Sequence, residues 1–422
     1  MTDTMHQIRL ADRVSALKPS VTVAVTNRAK ELRRQGADVL GFAAGEPDFD
    51  TPDRIKQTAI RALEAGQTKY MPTLGDPETR GVIAQKLASE NGIDGLTPEH
   101  IAIGAGGKHV LFTVCHCLFD KPAPDGAAAE AVLPVPAWVS YDPIIRLAGG
   151  TVVPVETTAD SDFLMTPEQL ASAITPKTRA VFLNSPSNPC GTMYSPEQIR
   201  ALAAVIAEKA SIAPDVVVVS DEIYEKIVYG GIDHLSIGAV PEIADRVVTL
   251  NGLSKAFAMT GWRVGYAACP GDFGKRIIKA MGTLQGQMTT NITSFVYPAI
   301  RTALTECADD VDRMRRTFGE RAEMITKLLA GMEGLSCPKP TGAFYAFPDV
   351  SAHFAKTTPG GRRLDDALSF CEALLDEAEV ALVPGDDFGG CGKRHVRISF
   401  ACSEEQIEAG MGRLGNWLAS LR

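Results

Sequence analysis

Asn251-Gly-Leu-Ser-Lys-Ala-Phe-Ala-Met-Thr-Gly-Trp-Arg-Val-Gly-Tyr266 follows directly on the β-branched run Arg246-Val-Val-Thr-Leu250. The run reads as a buried strand, so Ser254 and Lys255 fall just past its carboxyl end, where open α/β sheets keep their sites. Lys255 has apolar neighbours and, eight residues on, the guanidinium of Arg263. Desolvation and a nearby cation both lower an amine's pKa, and a neutral lysine amine is a nucleophile toward carbonyls. Taken alone, the stretch also fits a solvated loop with Arg263 paired to a carboxylate. The neighbouring strands decide between the two.

Arg179-Ala-Val-Phe-Leu183 runs into Asn184-Ser-Pro-Ser-Asn-Pro-Cys-Gly191, and Asp215-Val-Val-Val-Val-Ser220 into Asp221-Glu-Ile-Tyr224. With shorter runs at 101–103, 131–133 and 151–155, and helical stretches such as 195–210 between them, the pattern predicts a mainly parallel sheet covered by helices on both faces. Each long strand delivers polar residues at its carboxyl end, so Asn188, Asp221 and Lys255 converge. A buried carboxylate at Asp221 is costly without a cationic partner.

Ile101-Ala-Ile103 meets Gly104-Ala-Gly-Gly-Lys-His109, ahead of a helical pattern that runs to Phe119. Glycines between a strand and a helix start leave amides free to hold a phosphate, although a plain tight turn reads the same way. The spacing is neither a Walker loop nor a dinucleotide fingerprint. Trp138, in Pro134-Val-Pro-Ala-Trp-Val-Ser-Tyr141, suits core filling or stacking on a flat ligand.

Toward the amino end, helices are predicted over 21–35 (capped by Ser20, stopped by Gly36), 52–65 and 78–91. Between them lie Gly41-Phe-Ala-Ala-Gly-Glu-Pro-Asp-Phe-Asp-Thr-Pro52, with Gly45, and the extended Lys69-Tyr-Met-Pro-Thr-Leu-Gly-Asp-Pro77, with Tyr70. Beyond residue 271 helices dominate, including a long one over 305–331. Strand signals around 341–347, a helix over 364–377, a glycine-rich loop over 384–392, a strand over 395–399 and a helix over 403–421 form an α+β tail with its own small core.

The 422 residues leave room for two or three domains. A net charge of −9 argues against nucleic acid or an anionic membrane as the main partner, and no apolar run approaches a membrane span. The first residues lack the basic and apolar regions of a leader, which predicts a cytoplasmic protein. Nine scattered cysteines read as reduced thiols. Cys115-His116-Cys117 has no second pair at zinc spacing, and no metal is expected.

One ligand suits these features together: a flat heteroaromatic ring with a phosphate, an aldehyde for an amine to capture, a ring nitrogen that stays protonated and a phenolate. That is pyridoxal phosphate. Lys255 would hold the aldehyde, Asp221 would pair with the ring nitrogen and Trp138 would cover a ring face. Asn188 and Tyr224 would donate to the phenolate, while Gly106, Gly107, Lys108, Ser254 and Arg263 would neutralise the phosphate.

At these residues the sequence resembles the pyridoxal-phosphate aminotransferases of fold type I, class I/II. Seven stretches carry the resemblance: Ala44-Gly-Glu-Pro-Asp-Phe-Asp-Thr-Pro52, Lys69-Tyr-Met-Pro-Thr-Leu-Gly75, Gly106-Gly-Lys108, Asn184-Ser-Pro-Ser-Asn-Pro-Cys-Gly191, Ser220-Asp-Glu-Ile-Tyr224, Ser254-Lys255 with Arg263, and Val396-Arg-Ile-Ser399. They occur in the family's order over roughly residues 15 to 420. The resemblance implies that Lys255 is both the cofactor's covalent anchor and the proton carrier. It implies that Asp221 partners the ring nitrogen, Asn188 and Tyr224 the phenolate and Arg263 the phosphate. Tyr70 matches a tyrosine that reaches the cofactor of a neighbouring subunit, which implies a homodimer with shared sites. Arg397 matches the arginine that forks onto the substrate α-carboxylate, and Gly45, Trp138 and Asn188 match residues lining the substrate.

The implied fold is a large cofactor domain over 49–311 and a small domain made from 1–48 and 312–422. Two departures stand out: Ala137 replaces a common aromatic, and the loop over 120–131 is long. The implied reaction is transfer of an amino group from an L-amino acid, aspartate first, to 2-oxoglutarate by a ping-pong route. Aromatic amino acids or prephenate are alternative substrates, and lyase or decarboxylase chemistry runs on the same fold. No match demands an arginine for a second carboxylate; Thr22 and His116 match pocket contacts.

Overall fold

The computed structural model describes residues 10–17, 21–120 and 128–422, with the backbone alone for 21–24 and 26. The Ser20 cap, most of the 120–131 loop and the side chain of Thr22 lie outside the described residues.

Seven strands form the main sheet: β1 (Ile101–Gly104), β2 (Glu130–Val135), β3 (Thr151–Glu156), β4 (Thr178–Asn184), β5 (Val217–Asp221), β6 (Val247–Gly252) and β7 (Gly265–Ala268). Their order is β1-β7-β6-β5-β4-β2-β3. All neighbours are parallel except those of β7, which runs against both β1 and β6. In the centre, Val217, Val218, Val219 and Val247, Val248 are all buried, because helices cover both faces and leave no solvent side to favour alternation.

Strand β7 was not among the expected strands. Its residues Gly-Tyr-Ala-Ala include no β-branched side chain, so local propensity is weak. A Cβ on Gly265 would run into the backbone of Gly106 and Gly107, so this strand exists through close approach to the turn after β1. That approach joins the glycine turn to the end of the Lys255 stretch.

Beyond the sheet, the single helix expected over 305–331 is two, Tyr297–Glu306 and Ala308–Ala330. They break at Cys307 (φ −114°, ψ 24°), where Asp309 and Asp310 enter the first turn of the second helix and complement its dipole. The strand expected around 341–347 shrinks to Tyr345–Ala346, paired with Ile398 and Ser399, because Ala343 at φ 55° turns the chain just before it. The helix expected over 364–377 starts later, at Ala367, where Asp366 accepts from Ser369 N–H as its cap.

Two apolar clusters fill the opposite faces of the sheet, one around Val110, Leu133, Tyr141, Phe182 and Ile278, the other around Val132, Leu183, Leu202 and Val218. A further core gathers Phe42, Phe318, Phe344, Phe370, Phe400 and Leu414. Tyr224 and Ile227, just past β5, belong to this last core. The carboxyl ends of β4, β5 and β6 therefore open toward the seam where it meets the sheet.

Candidate active site

Ladder register sets the first two groups: Asn184 at the end of β4 lies opposite Asp221 at the end of β5, and Asn184 Nδ2 donates to the Asp221 carbonyl at 2.9 Å. Asn184 Oδ1 accepts from Asn188 N–H at 3.0 Å, which folds the Ser-Pro-Ser-Asn turn back over the strand ends. The Asp221 carboxylate accepts from Tyr141 O–H (2.7 Å) and Ile223 N–H (3.2 Å). Burial raises its pKa against these donors and the attraction of Lys255.

Past β6, the Lys255 turn is held from outside. Thr51 donates to the Ala258 carbonyl at 2.7 Å and accepts from Trp262 Nε1 at 3.1 Å, and Thr260 donates to Glu46 at 2.8 Å. The clamp comes from the 41–52 stretch, whose Gly45 carbonyl also accepts from Lys255 Nζ. Burial lowers the lysine to about 8; Arg397 and Arg263 add to the effect while Glu46 opposes it. A substantial neutral fraction near pH 7 to 8 is what an amine nucleophile and proton carrier needs.

The glycine turn after β1 supplies the third wall. Gly106 sits at φ 90°, a conformation that favours glycine, and a Cβ there would displace the Arg263 guanidinium. No side chain caps the helix Gly107–Leu118, and Gly107 and Lys108 line the cavity. Arg263 itself holds φ 57°, the left-handed region, and donates to the Thr260 carbonyl at 2.8 Å. Lys108 Nζ lies 5.0 Å above the Trp138 ring, and burial, with Arg263 next, lowers its pKa.

Arg397 closes the opposite side. It is 5% exposed, donates to Asn188 Oδ1 and the Ala43 carbonyl (both 3.0 Å), and packs over the rings of Tyr345 and Phe388. Its Nε is buried without a partner.

These groups line one cavity of about 330 Å³. It brings together Gly45, Gly107, Lys108, Trp138, Asn188, Asp221, Tyr224, Ser254, Lys255, Arg263 and Arg397, with Gly106 behind Arg263. Tyr70 is elsewhere, 89% exposed on an outer loop. His116 lies outside the cavity too, with Nδ1 placed 2.9 Å from the Phe112 carbonyl of its own helix, to which a ring N–H donates, and its ring stacked on Phe112. Sequence reasoning missed Tyr141, Asn184 and Tyr345. The first two sit inside quoted stretches, and a buried tyrosine needing a partner was the available signal for Tyr141. Among the described residues the one compact group of metal-type ligands is Glu222, Glu225 and His234, and Lys86 already pairs with Glu225 there.

An amine, a carboxylate and a buried arginine facing one cavity, beside an uncapped helix start, are the furnishings of an enzyme site. The sequence matches the model of aminotransferase class I and II over residues 37–414, and the chain belongs to that family. It is 43% identical over 412 residues to the aspartate aminotransferase of Geobacillus stearothermophilus, covering 97% of this chain and 99% of the relative. The aspartate/prephenate aminotransferase of Thermus thermophilus is 42% identical over 412 residues, covering 97% and 98%. Among solved structures, the Rhizobium meliloti aspartate aminotransferase superposes with a TM-score of 0.91 at 36% identity, covering 99% of this chain and all of the other. The Thermus thermophilus aspartate aminotransferase with maleate gives 0.87 at 41%, covering 97% and 100%.

Proposed function

We propose that this aminotransferase exchanges the amino group of an L-amino acid, aspartate first, with 2-oxoglutarate, using pyridoxal phosphate held in the cavity described above. The observation that carries the reading is the placement of Lys255 between Asp221 and Arg397 in one cavity.

The residues present fit the cofactor. Asp221 has only neutral hydrogen-bond donors, so a protonated ring nitrogen suits it. The amino end of the helix Gly107–Leu118 has no side-chain cap and faces the cavity beside Ser254 and Arg263, a setting that suits a phosphate. Bound there, pyridoxal phosphate supplies an electron sink that eases loss of a proton from the donor's Cα.

The chain's own groups do the rest. Arg397 offers a planar fork for the α-carboxylate, steadied by its bonds to Asn188 and the Ala43 carbonyl. Lys255 Nζ takes the Cα proton from the donor and returns one to the acceptor. Asn188 and Tyr224 would hold the cofactor's ring oxygen, and Trp138 would cover a ring face. With Arg397, Arg263 and Lys255 so employed, Lys108 is the cation left to meet a second carboxylate, in place of or besides the phosphate. Relatives named aspartate/prephenate aminotransferase support a second reading in which prephenate, also a dicarboxylate, is the acceptor.

The enzyme is a homodimer in this reading, with Tyr70 entering the partner's site. A large domain over 49–311 and a small one from both chain ends close on the substrate. No helix of the described residues is long and apolar enough to cross a membrane. The test is the visible spectrum of the purified protein, before and after single amino acids without any oxo acid. Loss of the band with aspartate supports the reading. A band that no amino acid changes points to lyase or decarboxylase chemistry, and no band after adding the cofactor overturns it.

A further inference from the structure

Tyr345 stands between the two halves of the site. It is fully buried, lies on the short strand that pairs with Val396–Ser399, and lines the cavity. Its hydroxyl is 2.9 Å from that of Tyr224, and the two rings meet edge to face at 5.8 Å. On its other side the Arg397 guanidinium lies 4.9 Å from the ring centroid. Gly45 packs close to it, so that a Cβ there would come 3.3 Å from the Tyr345 hydroxyl.

We propose that Tyr345 is a positioning residue with two separable tasks: its hydroxyl orients the Tyr224 O–H toward the cofactor's ring oxygen, and its ring face holds the Arg397 fork for the substrate carboxylate. The inference rests on the cofactor assignment above. Tyr224 has one hydrogen, so if it donates into the cavity, Tyr345 O–H is the donor and the Tyr224 oxygen the acceptor in this pair, whose 2.9 Å separation fits that direction. A phenol that accepts one hydrogen bond donates a stronger one. The ring task is independent of the hydroxyl, because the attraction of a guanidinium to an aromatic face comes from the π system. A Phe at 345 therefore keeps the second task and loses the first, while a Leu loses both.

The experiment compares Tyr345→Phe and Tyr345→Leu holoenzymes with the unaltered one. Two readouts are taken: the pH midpoint of the visible absorption titration, with the dissociation constant of pyridoxal phosphate, and the affinity for a dicarboxylate lacking both amine and ketone, such as maleate. With Phe, a weaker donor leaves more negative charge on the ring oxygen. The midpoint moves up and cofactor affinity falls roughly 3- to 10-fold, the worth of one hydrogen bond, while maleate affinity stays put. With Leu, maleate affinity falls as well, by roughly 3- to 30-fold, as expected for a lost cation–π contact. A merely structural role would move both readouts together in both variants, and that result overturns the proposal. So does a Phe variant with an unchanged midpoint and cofactor affinity. If the unaltered protein takes up no pyridoxal phosphate, the cofactor assignment itself fails and the inference falls with it.

Discussion

The Tyr141 hydroxyl donates to Asp221 Oδ2 at 2.7 Å, and Tyr141 is 2% exposed. The bond ties the carboxylate at the end of β5 to the start of the helix Tyr141–Leu147. Because a carboxylate has room for about four donors, Tyr141 and Ile223 leave Asp221 able to accept another from the cavity.

Replacing Tyr141 by Phe keeps its packing against Trp138 and Phe182 and removes one donor. We expect kcat to fall about tenfold, within the range for a hydrogen bond to a charged group, with KM little changed. Asp221→Ala should cripple chemistry while the cofactor still binds, and Tyr141→Phe should add nothing in that background. Additive losses in the double variant would show that Tyr141 acts elsewhere.

Lys255→Ala is expected to reduce turnover by roughly 10⁴-fold or more, since it removes the residue proposed as both nucleophile and proton carrier. In the unaltered chain, burial lowers the amine to about 8. Uptake of pyridoxal phosphate by the cofactor-free protein should therefore speed up with rising pH, with a midpoint near that value, as followed by absorbance. A midpoint above 10 would mean that the lysine is solvated.

Arg397→Lys replaces a bidentate fork by a point charge and leaves Asn188 Oδ1 and the Ala43 carbonyl short of donors. The expected loss is about 2 kcal/mol or more in amino-acid binding, some thirtyfold in KM, with a smaller change in kcat. Steady-state kinetics with aspartate checks it.

Behind the site, Lys86 pairs with Glu225, and Asn91 and Glu222 join the network, all of them buried. Burial would raise Glu225, but Lys86, His234 and Lys226 outweigh it and pull the carboxyl down to about 2. A carboxyl lowered in the fold contributes stability above its unfolded pKa and loses it as pH falls through the folded one. Glu225→Gln should thus flatten the loss of stability between about pH 5 and 2. Lys86→Met, which strands the carboxylates, should cost about 3 kcal/mol at neutral pH. Urea midpoints across pH test both.

Tyr70 and Lys255 stand in different places on one chain, the first on the surface and the second in the cavity. With shared sites, mixing Tyr70→Ala and Lys255→Ala chains under exchange should give hybrids with one of two sites intact. Activity and tight cofactor binding should return in the mixture. No recovery would count against a site shared between subunits.

The strand-forming runs and the polar residues that end them were legible in the chain itself. Val217–Asp221 and Val247–Gly252 are β-branched and apolar enough to be buried on both faces, and a parallel strand so buried has its reactive groups at its carboxyl end. That is why Asn188, Asp221 and Lys255 could be expected together. What the chain could not tell is which distant backbones touch. Strand β7 forms because Gly265 packs on Gly106 and Gly107, and Arg397 meets Asn188 across 209 positions. Tyr141 and Tyr345 look like ordinary core aromatics until tertiary packing sets their hydroxyls beside Asp221 and Tyr224. Local sequence carries propensity and period, which choose elements and their buried faces; hydrogen bonds between side chains far apart in sequence exist only once the layers have packed.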